Sequence, residues 1–169
     1  VDVGCTSHES IANFGAGWLG FFNRKGVWMT QGQYPILISR RIQKWIDGMS
    51  SSYATNVAGA GDEDYLYESL GNCTVDGRTF NNVVARYSFT TKEWTIFSYA
   101  HQFRVFSPYV VSGAKQIVGG DTTNRVLQIE STSLTDNSTG VGFELQTQDL
   151  DFGSRGFVKE LNDRIMAYG

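Results

Sequence analysis

Apolar and polar residues alternate over long parts of this chain, a pattern typical of β-strands that bury one face. The clearest case is residues 83 to 89, whose odd-numbered positions are all apolar. A polar turn at residues 90 to 92 leads into a second apolar run that begins at Trp94. The segment therefore predicts an antiparallel hairpin in which Trp94 packs near Tyr87.

Two further segments repeat this arrangement. Residues 19 to 29 contain two apolar runs on either side of a turn at Gly26, which predicts a tight hairpin. Residues 109 to 129 contain three apolar runs separated by polar turns at 112 to 113 and 120 to 124. Antiparallel hairpins are therefore the recurring unit of the chain.

Weaker alternation fills the intervals between these hairpins. Residues 1 to 5 and 53 to 60 each predict a short strand, and residues 64 to 68 predict a strand that ends in a loop at 71 to 77. Residues 141 to 147 predict a further half-buried strand.

One segment has a helical period instead. Between residues 39 and 49 the apolar positions recur every three or four residues, and the charged residues fall on the opposite side. Ser39 is expected to cap the helix through its hydroxyl, and Trp45 is expected to face the sheet. A helix covering a core is favoured over a membrane or partner helix. The periodicity of residues 157 to 168 fits either a helix or a strand.

Composition supports a β-rich domain. The 169 residues include 19 glycines, only 2 prolines and 14% aromatic residues, which favours short strands joined by tight turns. The net charge of −3 provides no basic field for phosphates, so nucleic acid is not expected as a specific ligand. No run of eighteen apolar residues is present, so no membrane span is expected. The start lacks a methionine, and the chain reads as part of a longer protein.

The residues most often used in catalysis or metal binding are sparse. Cys5 and Cys73 lack metal-ligand spacing, and both are expected to be buried thiols. His8 and His101 lie far apart, with no carboxylate or cysteine at ligand spacing. We therefore predict no catalytic, cofactor-binding or metal-binding residue.

Two local patterns could indicate a binding or catalytic site, but neither is complete. Residues 59 to 61 read Gly-Ala-Gly, but a dinucleotide loop would need a third glycine, and the acidic run at 62 to 64 would repel a phosphate. A propeller enzyme such as a glycosidase would need two carboxylates across a cleft. The available acids, at 62 to 64 and at Asp149 and Asp151, lie in loop-like runs, where solvated turns are favoured.

Repeated hairpins at moderate spacing are typical of radially repeated sheets. The predicted fold is mainly β, with antiparallel four-stranded blades of a partial β-propeller and one amphipathic helix at about residues 39 to 49. A closed propeller needs about four to eight blades of roughly 40 to 50 residues, so this chain has material for about two or three. We expect one domain, or a fragment of a larger propeller, divided into a strand and hairpin (1 to 38), the helix (39 to 49), blade hairpins (53 to 129) and last strands (141 to 169).

The order of several motifs resembles a recurrent passage in bacteriophage tail and head-tail connector proteins. The motifs are GCTSHESI at 4 to 11, LGFFNRKGVWMTQG at 19 to 32, PILISRRIQKWI at 35 to 46, RYSFTTKEW at 86 to 94, IVGGDTTNRVLQI at 117 to 129, FELQTQDLDFG at 143 to 153 and VKEL at 158 to 161. Together they cover most of the chain in order. They are similar to motifs of the nozzle-type and stopper-type propeller proteins of short-tailed phages.

This resemblance implies a structural virion protein, located in a phage tail or neck, that has no catalytic residues. Copies would assemble as a ring around the DNA channel, commonly six, next to portal, adaptor or tail proteins, and passing DNA would be contacted only non-specifically. The resemblance also implies a strand for residues 157 to 168. Members of the family are several times longer, so this chain would supply only the later blades.

The alternative is a kelch-like scaffold propeller that recognises a protein or glycan through its loops. Kelch repeats would show paired glycines and a steadier period than this chain has. In either case we expect aromatic residues to act as packing anchors and as candidate interface residues. The expected anchors are Trp28, Trp45, Tyr87 and Trp94, and the candidate interface residues are Trp18, Tyr99 and Tyr109.

Overall fold

The computed structural model describes residues 3 to 111, 113 to 129, 135 to 136 and 139 to 140. Over these residues the protein is mainly β, with three antiparallel sheets of three or four strands and one α-helix. This confirms the predicted fold class, a mainly β protein with antiparallel sheets of up to four strands and one helix. The predicted last strands, at 141 to 169, lie outside the described residues.

Each sheet is a meander whose strands follow one another in chain order. Sheet 1 contains β1 (Ala12–Phe14), β2 (Trp18–Asn23), β3 (Gly26–Thr30) and β4 (Ile36–Leu37). Sheet 2 contains β5 (Gly59–Gly61), β6 (Tyr65–Val75), β7 (Arg78–Ser88) and β8 (Trp94–Ser98). Sheet 3 contains β9 (Phe103–Val111), β10 (Ala114–Asp121) and β11 (Val126–Gln128). A separate pair is formed by β12 (Thr135–Asp136) and β13 (Thr139–Gly140).

Sheet 2 lies between the other two sheets and buries both of its faces. Its Leu66 and Ala85 belong to a core shared with Phe22 of sheet 1, whereas Tyr67 and Val84 belong to a core shared with sheet 3. The first strands of the sheets are neighbours, because β1 contacts β5 and β5 contacts β9. The chain therefore stacks one meander on the next with the first strands on the same side.

Glycines allow β1 and β5 to approach closely. A Cβ atom on Gly61 would lie 2.4 Å from the Asn13 carbonyl oxygen, and one on Gly59 would lie 2.6 Å from the Ser10 carbonyl oxygen. Such distances leave no room for a side chain. The Gly-Ala-Gly run is thus a strand whose missing side chains bring two backbones together.

The predicted helix is shorter than expected, with a 3-10 turn at Ser39–Ile42 followed by α1 at Gln43–Asp47. Its apolar side is oriented as predicted, since Ile42 and Ile46 are buried in the core between sheets 1 and 2. The predicted Ser39 cap is wrong. The buried Ser39 hydroxyl instead accepts a hydrogen bond from the Val27 amide at 3.0 Å, because the chain before the helix packs against the β2–β3 hairpin.

The strand predicted at 64 to 68 is confirmed as part of β6, but the loop predicted after it is wrong, and so are two strand predictions. Strand β6 continues to Val75 through the predicted loop, with an irregular register at Gly71, whose φ is +67°. The predicted strand at 53 to 60 is instead a 3-10 turn at Ser51–Tyr53 followed by the short β5, because the Tyr53 ring packs against Gly71. Residues 3 to 5 are not in a strand. They lead into a 3-10 turn at His8–Ser10 before β1.

The three predicted hairpins are confirmed as β2–β3, β7–β8 and β9–β10. Tyr87 and Trp94 pair across the second of them, with their ring centroids 5.1 Å apart. The prediction that both cysteines are buried is right for Cys73 and wrong for Cys5, which is exposed. Cys5 lies in the segment before the 3-10 turn at His8–Ser10, ahead of the first strand.

Candidate functional site

Three of the expected anchors lie around the core between sheets 1 and 2. Tyr87 is buried there, the Trp45 ring packs on Phe80 at 4.9 Å between centroids, and the Trp94 indole donates a hydrogen bond to the Ile38 carbonyl at 3.0 Å. Trp28 is different. It is half-buried on the opposite face of sheet 1, where its indole donates to the Asn23 side chain at 2.9 Å.

The expected interface residues are not brought together. Trp18 is half-buried, with its ring centroid 6.3 Å from that of Phe89. Tyr99 is half-buried and packs on Phe103, with centroids 5.3 Å apart. Only Tyr109 presents a largely free side chain, which is 58% exposed.

Two apolar sheet faces are left uncovered by the other described residues, and the first is the face of sheet 1 turned away from sheet 2, which we call the sheet 1 outer face. A groove of about 230 Å³ runs across it. Ile11 and Leu19 in this groove are 49% and 38% exposed. The residues that line it are Val3, Cys5, Ile11, Leu19, Phe21 and Thr30.

The face of sheet 3 turned away from sheet 2 is the second surface, the sheet 3 outer face. Ile117 and Leu127 point towards sheet 2, so alternation places their neighbours Val118 and Val126 on the outer side. Val105, Tyr109 and Val126 are 48%, 58% and 73% exposed there. Within the described part of the chain, strand order and pleat therefore leave an apolar face at each end of the stack.

Neither outer face carries a charged side chain on its described strands, although 18% of the chain is charged. The polar positions on these faces are amides and hydroxyls, such as Asn23 and Thr30 in sheet 1 and Gln116 and Gln128 in sheet 3. Sheet faces that stay in water usually carry polar and charged side chains. Contiguous apolar surface of this kind marks sites of interaction. Sequence reasoning missed these surfaces because it did not show which face of each strand is covered.

Among the described residues, one carboxyl group is buried between sheets 1 and 2. Glu68 on β6 is fully buried, and within the described part of the chain neither of its carboxyl oxygens has a hydrogen-bond partner. It lies across from Gly59, and the segment containing Cys5 and Ser10 lies nearby. Burial raises the pKa of Glu68 well above its usual range, and the Cys5 sulfur raises it further. The Glu68 side chain is thus held as a neutral acid.

Replacing Glu68 with leucine is expected to stabilise the protein by about 1–3 kcal/mol at neutral pH, because an unpartnered buried polar group gives way to an apolar one of similar size. The gain should depend on pH. Between the ordinary glutamate pKa and the raised pKa of folded Glu68, only the folded state keeps the proton, so wild-type stability falls as pH rises through that window. In Glu68→Leu this slope should be absent.

Urea unfolding followed at a series of pH values from about 5 to 8 measures both effects. The exposed Glu9 is the matched control, and Glu9→Leu should leave the slope unchanged. A Glu68→Leu protein that is less stable than wild type throughout this range would show that the carboxyl group has a favourable partner.

A second polar cluster closes the turn between β10 and β11. The Asp121 carboxylate accepts hydrogen bonds from the Thr123 and Arg125 amides at 2.8 and 2.9 Å. The Arg125 guanidinium binds the same carboxylate at 2.8 Å and the His101 ring at 2.8 Å. Burial raises the pKa of Asp121, but these hydrogen bonds outweigh it and hold the pKa well below its usual range. The cluster therefore stabilises the β10–β11 turn and ties it to His101 in the segment before β9.

The acidic run after β5 also has structural partners. Asp62 accepts hydrogen bonds from the Asp64 and Tyr65 amides at 2.8 and 2.7 Å, and Glu63 pairs with Lys115 of sheet 3. Among the described residues, no group of three or more His, Cys, Asp or Glu side chains could hold a metal ion. Asp149 and Asp151 lie outside those residues.

No protein family model, curated protein or solved structure matches this chain. Within the described part of the chain, no helix is long and apolar enough to cross a membrane. The stacking of the sheets, the two outer faces and the order of the sequence motifs are the features of this chain that bear on its function.

Proposed function

We propose that this chain is part of a β-propeller with a structural role in a bacteriophage tail or head-tail connector. The observation that carries the proposal is the arrangement of consecutive meanders, in which β1, β5 and β9 are neighbours and each sheet packs its face on the next. In a propeller the blades are four-stranded meanders set around a central channel. Sheets 1 and 2 have four strands each, and sheet 3 has three in its described part.

The close approach of β1 and β5 supports the same architecture. Successive blades converge towards the axis of a propeller, so their innermost strands need small residues. Gly59, Ala60 and Gly61 form the whole of β5, and side chains on either glycine would overlap the segment containing β1. The first strands, and the glycines between them, would therefore line the channel.

The assignment to a virion rests on the resemblance of the motif order. Several of these motifs fall on hairpins and their turns: residues 19 to 32 span β2 and β3, residues 86 to 94 span the β7–β8 turn, and residues 117 to 129 span β10 and β11. Hairpins and their turns fix the shape of a propeller blade, as expected of a protein with a structural role. The net charge of −3 suits a channel that DNA traverses, because a basic lining would retain the phosphates in a salt-dependent way.

In this proposal copies of the protein form a ring, commonly of six, next to portal, adaptor or tail proteins. A kelch-like binding propeller is the second candidate. It is favoured by the tip of the β9–β10 hairpin, where Tyr109 and Val110 are 58% and 59% exposed and could contact a protein or glycan.

Negative-stain electron microscopy of the full-length protein tests the proposal. Rings with a central hole, decorated by an antibody to this chain in purified virions, are the expected result. A compact monomer that binds glycans, with binding lost in Tyr109→Ala, would favour the kelch-like function. A strongly positive lumen formed by these residues would contradict the proposed passage of DNA.

A further inference from the structure

We propose that residues 3 to 11, the segment before β1, form a cover over Glu68 that stays closed while Glu68 is protonated and opens when Glu68 ionises. We call this segment the N-terminal strap. The device has three parts, which are a buried acid, the strap that lies against it and the glycines of β5 that let the strap come close. It operates within one chain, so it goes beyond the proposed function and does not depend on it.

Glu68 meets the strap at Gly59. The two residues pair in the sheet, and a Cβ atom on Gly59 would lie 3.1 Å from Oε2 of Glu68 and 2.6 Å from the Ser10 carbonyl oxygen. The carboxyl group and the strap backbone therefore approach the same point, which a residue without a side chain allows. Cys5 of the strap is also close enough to act on the charge of Glu68. The strap thus forms part of the wall around this acid.

An ionised Glu68 would have no compensating charge in the closed state. Among the described residues, neither of its carboxyl oxygens has a hydrogen-bond partner. His8 and Glu9 of the strap are exposed and pair with each other at 3.4 Å. The groups that face Glu68 from the strap, β5, β7 and the shared core are apolar, uncharged or able only to become negative: the Ser10 carbonyl, the Cys5 thiol, Gly59, Ala85 and the apolar core side chains. Ionisation therefore requires that water reach the carboxyl group.

The strap is held to the rest of the chain by polar contacts. The Thr6 amide donates to the Phe22 carbonyl at 3.0 Å, and the Phe22 amide donates to the Ser10 hydroxyl at 2.9 Å. The Ser7 hydroxyl donates to the Val57 carbonyl at 2.6 Å. Ser7 and Ser10 are the buried side chains of the strap, and neither is apolar. Opening the strap therefore exposes little apolar area, and water can replace its hydrogen bonds.

Sheet 2 is harder to open at the same place. Strand β6 is paired with β5 on one side and with β7 on the other. Leu66 and Leu70, which alternate with Glu68 along the same face of β6, are fully buried. Separating these strands would expose the core, so water reaches Glu68 at the lowest cost when the strap opens. Local openings occur where little apolar surface is buried.

Opening should become about tenfold more favourable for each unit of rising pH within a defined window. Burial raises the pKa of Glu68 in the closed state well above its usual range, whereas in the open state the hydrated carboxyl group titrates near its ordinary value. Between these two values only the open state releases its proton to water, so rising pH favours opening. Below the window both states are protonated, and the strap stays closed.

Native-state hydrogen exchange of the full chain at pH values from about 5 to 8 tests this inference. The reporters are the Thr6 and Phe22 amides, whose hydrogen bonds join the strap to β2. Each rate is divided by the rate in Glu68→Gln, which keeps the shape of the side chain without an ionisable group, so the intrinsic pH dependence of exchange cancels. The expected ratio rises about tenfold per pH unit and depends little on urea, because strap opening exposes little surface.

Two further variants control the measurement. Glu9→Gln removes an exposed acid from the strap itself and should keep the wild-type profile. Glu68→Leu replaces Glu68→Gln as the reference if the glutamine variant does not fold.

The exchange profile also shows which outcomes would overturn the inference. A ratio that stays flat at Thr6 and Phe22 would show that the strap opens without releasing the Glu68 proton. A ratio that rises equally at the amides joining β6 to β7, with the same urea dependence, would show that Glu68 is hydrated only when the whole core unfolds. A rise at Thr6 and Phe22 in the absence of urea, retained in Glu9→Gln, is the supporting result.

Discussion

Phe103→Ala is expected to lower the free energy of unfolding by about 3–5 kcal/mol, as large-to-small substitutions of buried aromatic residues do. The Phe103 ring is 2% exposed and joins sheet 3 to sheet 2. Its neighbours are the rings of Tyr99 and Phe106, at 5.3 and 5.4 Å between centroids, and the backbone of Gly119. Removing the ring leaves a cavity that these neighbours are too constrained to fill.

Urea denaturation followed by tryptophan fluorescence and circular dichroism measures this loss. The matched control is Val110→Ala on the same strand, which is 59% exposed and should change stability by less than about 0.5 kcal/mol. The backbone of Phe103 stays anchored in the variant, because its carbonyl accepts hydrogen bonds from Tyr53 and Ser69 at 2.7 and 3.0 Å. Equal stability of Phe103→Ala and Val110→Ala would show that sheet 3 does not depend on this core.

Gly61→Ala is expected to cost about 3 kcal/mol, near the upper end of what overpacking a well-filled site usually costs. The added methyl group would lie 2.4 Å from the Asn13 carbonyl oxygen and 2.5 Å from Cβ of Phe14. The oxygen is a backbone atom and the Cβ atom is bonded to the backbone, so neither can rotate away. The clash is relieved only if β1 and β5 move apart. The loss should therefore appear as weakened packing between sheets 1 and 2.

Thermal unfolding and hydrogen exchange of β1 and β5 amides measure this effect. Gly4→Ala is the matched control, because Gly4 has open space around its Cβ position and no positive φ. Its substitution should be neutral. Unchanged exchange protection in Gly61→Ala would contradict the close approach of the first strands that supports the propeller arrangement.

Local features of the fold followed from the sequence because they depend on local chemistry. Alternation placed the β7–β8 hairpin, and a change of period placed the helix whose Trp45 faces the sheet. The errors arose where distant contacts decide local conformation. Ser39 is a good helix cap in isolation, yet in the fold its hydroxyl binds the amide of Val27.

The candidate site was predicted less well, for a physical reason. A strand pattern shows that one face is apolar, but it does not show what covers that face. Of the three candidate interface residues, only Tyr109 lies on an open surface, and the groove containing Cys5 and Leu19 was not foreseen. No local signal distinguishes Leu19, exposed in a groove, from Leu66, buried against the next sheet.

The sequence by itself determined that the chain forms antiparallel hairpins and one amphipathic helix, because side-chain period and turn chemistry act over a few residues. Only the tertiary structure decided that the sheets stack in chain order, that Gly59 and Gly61 serve the contact between first strands, and that Glu68 is buried without a hydrogen-bond partner among the described residues. These outcomes depend on which surfaces meet, and residues far apart in sequence meet only once the sheets have packed.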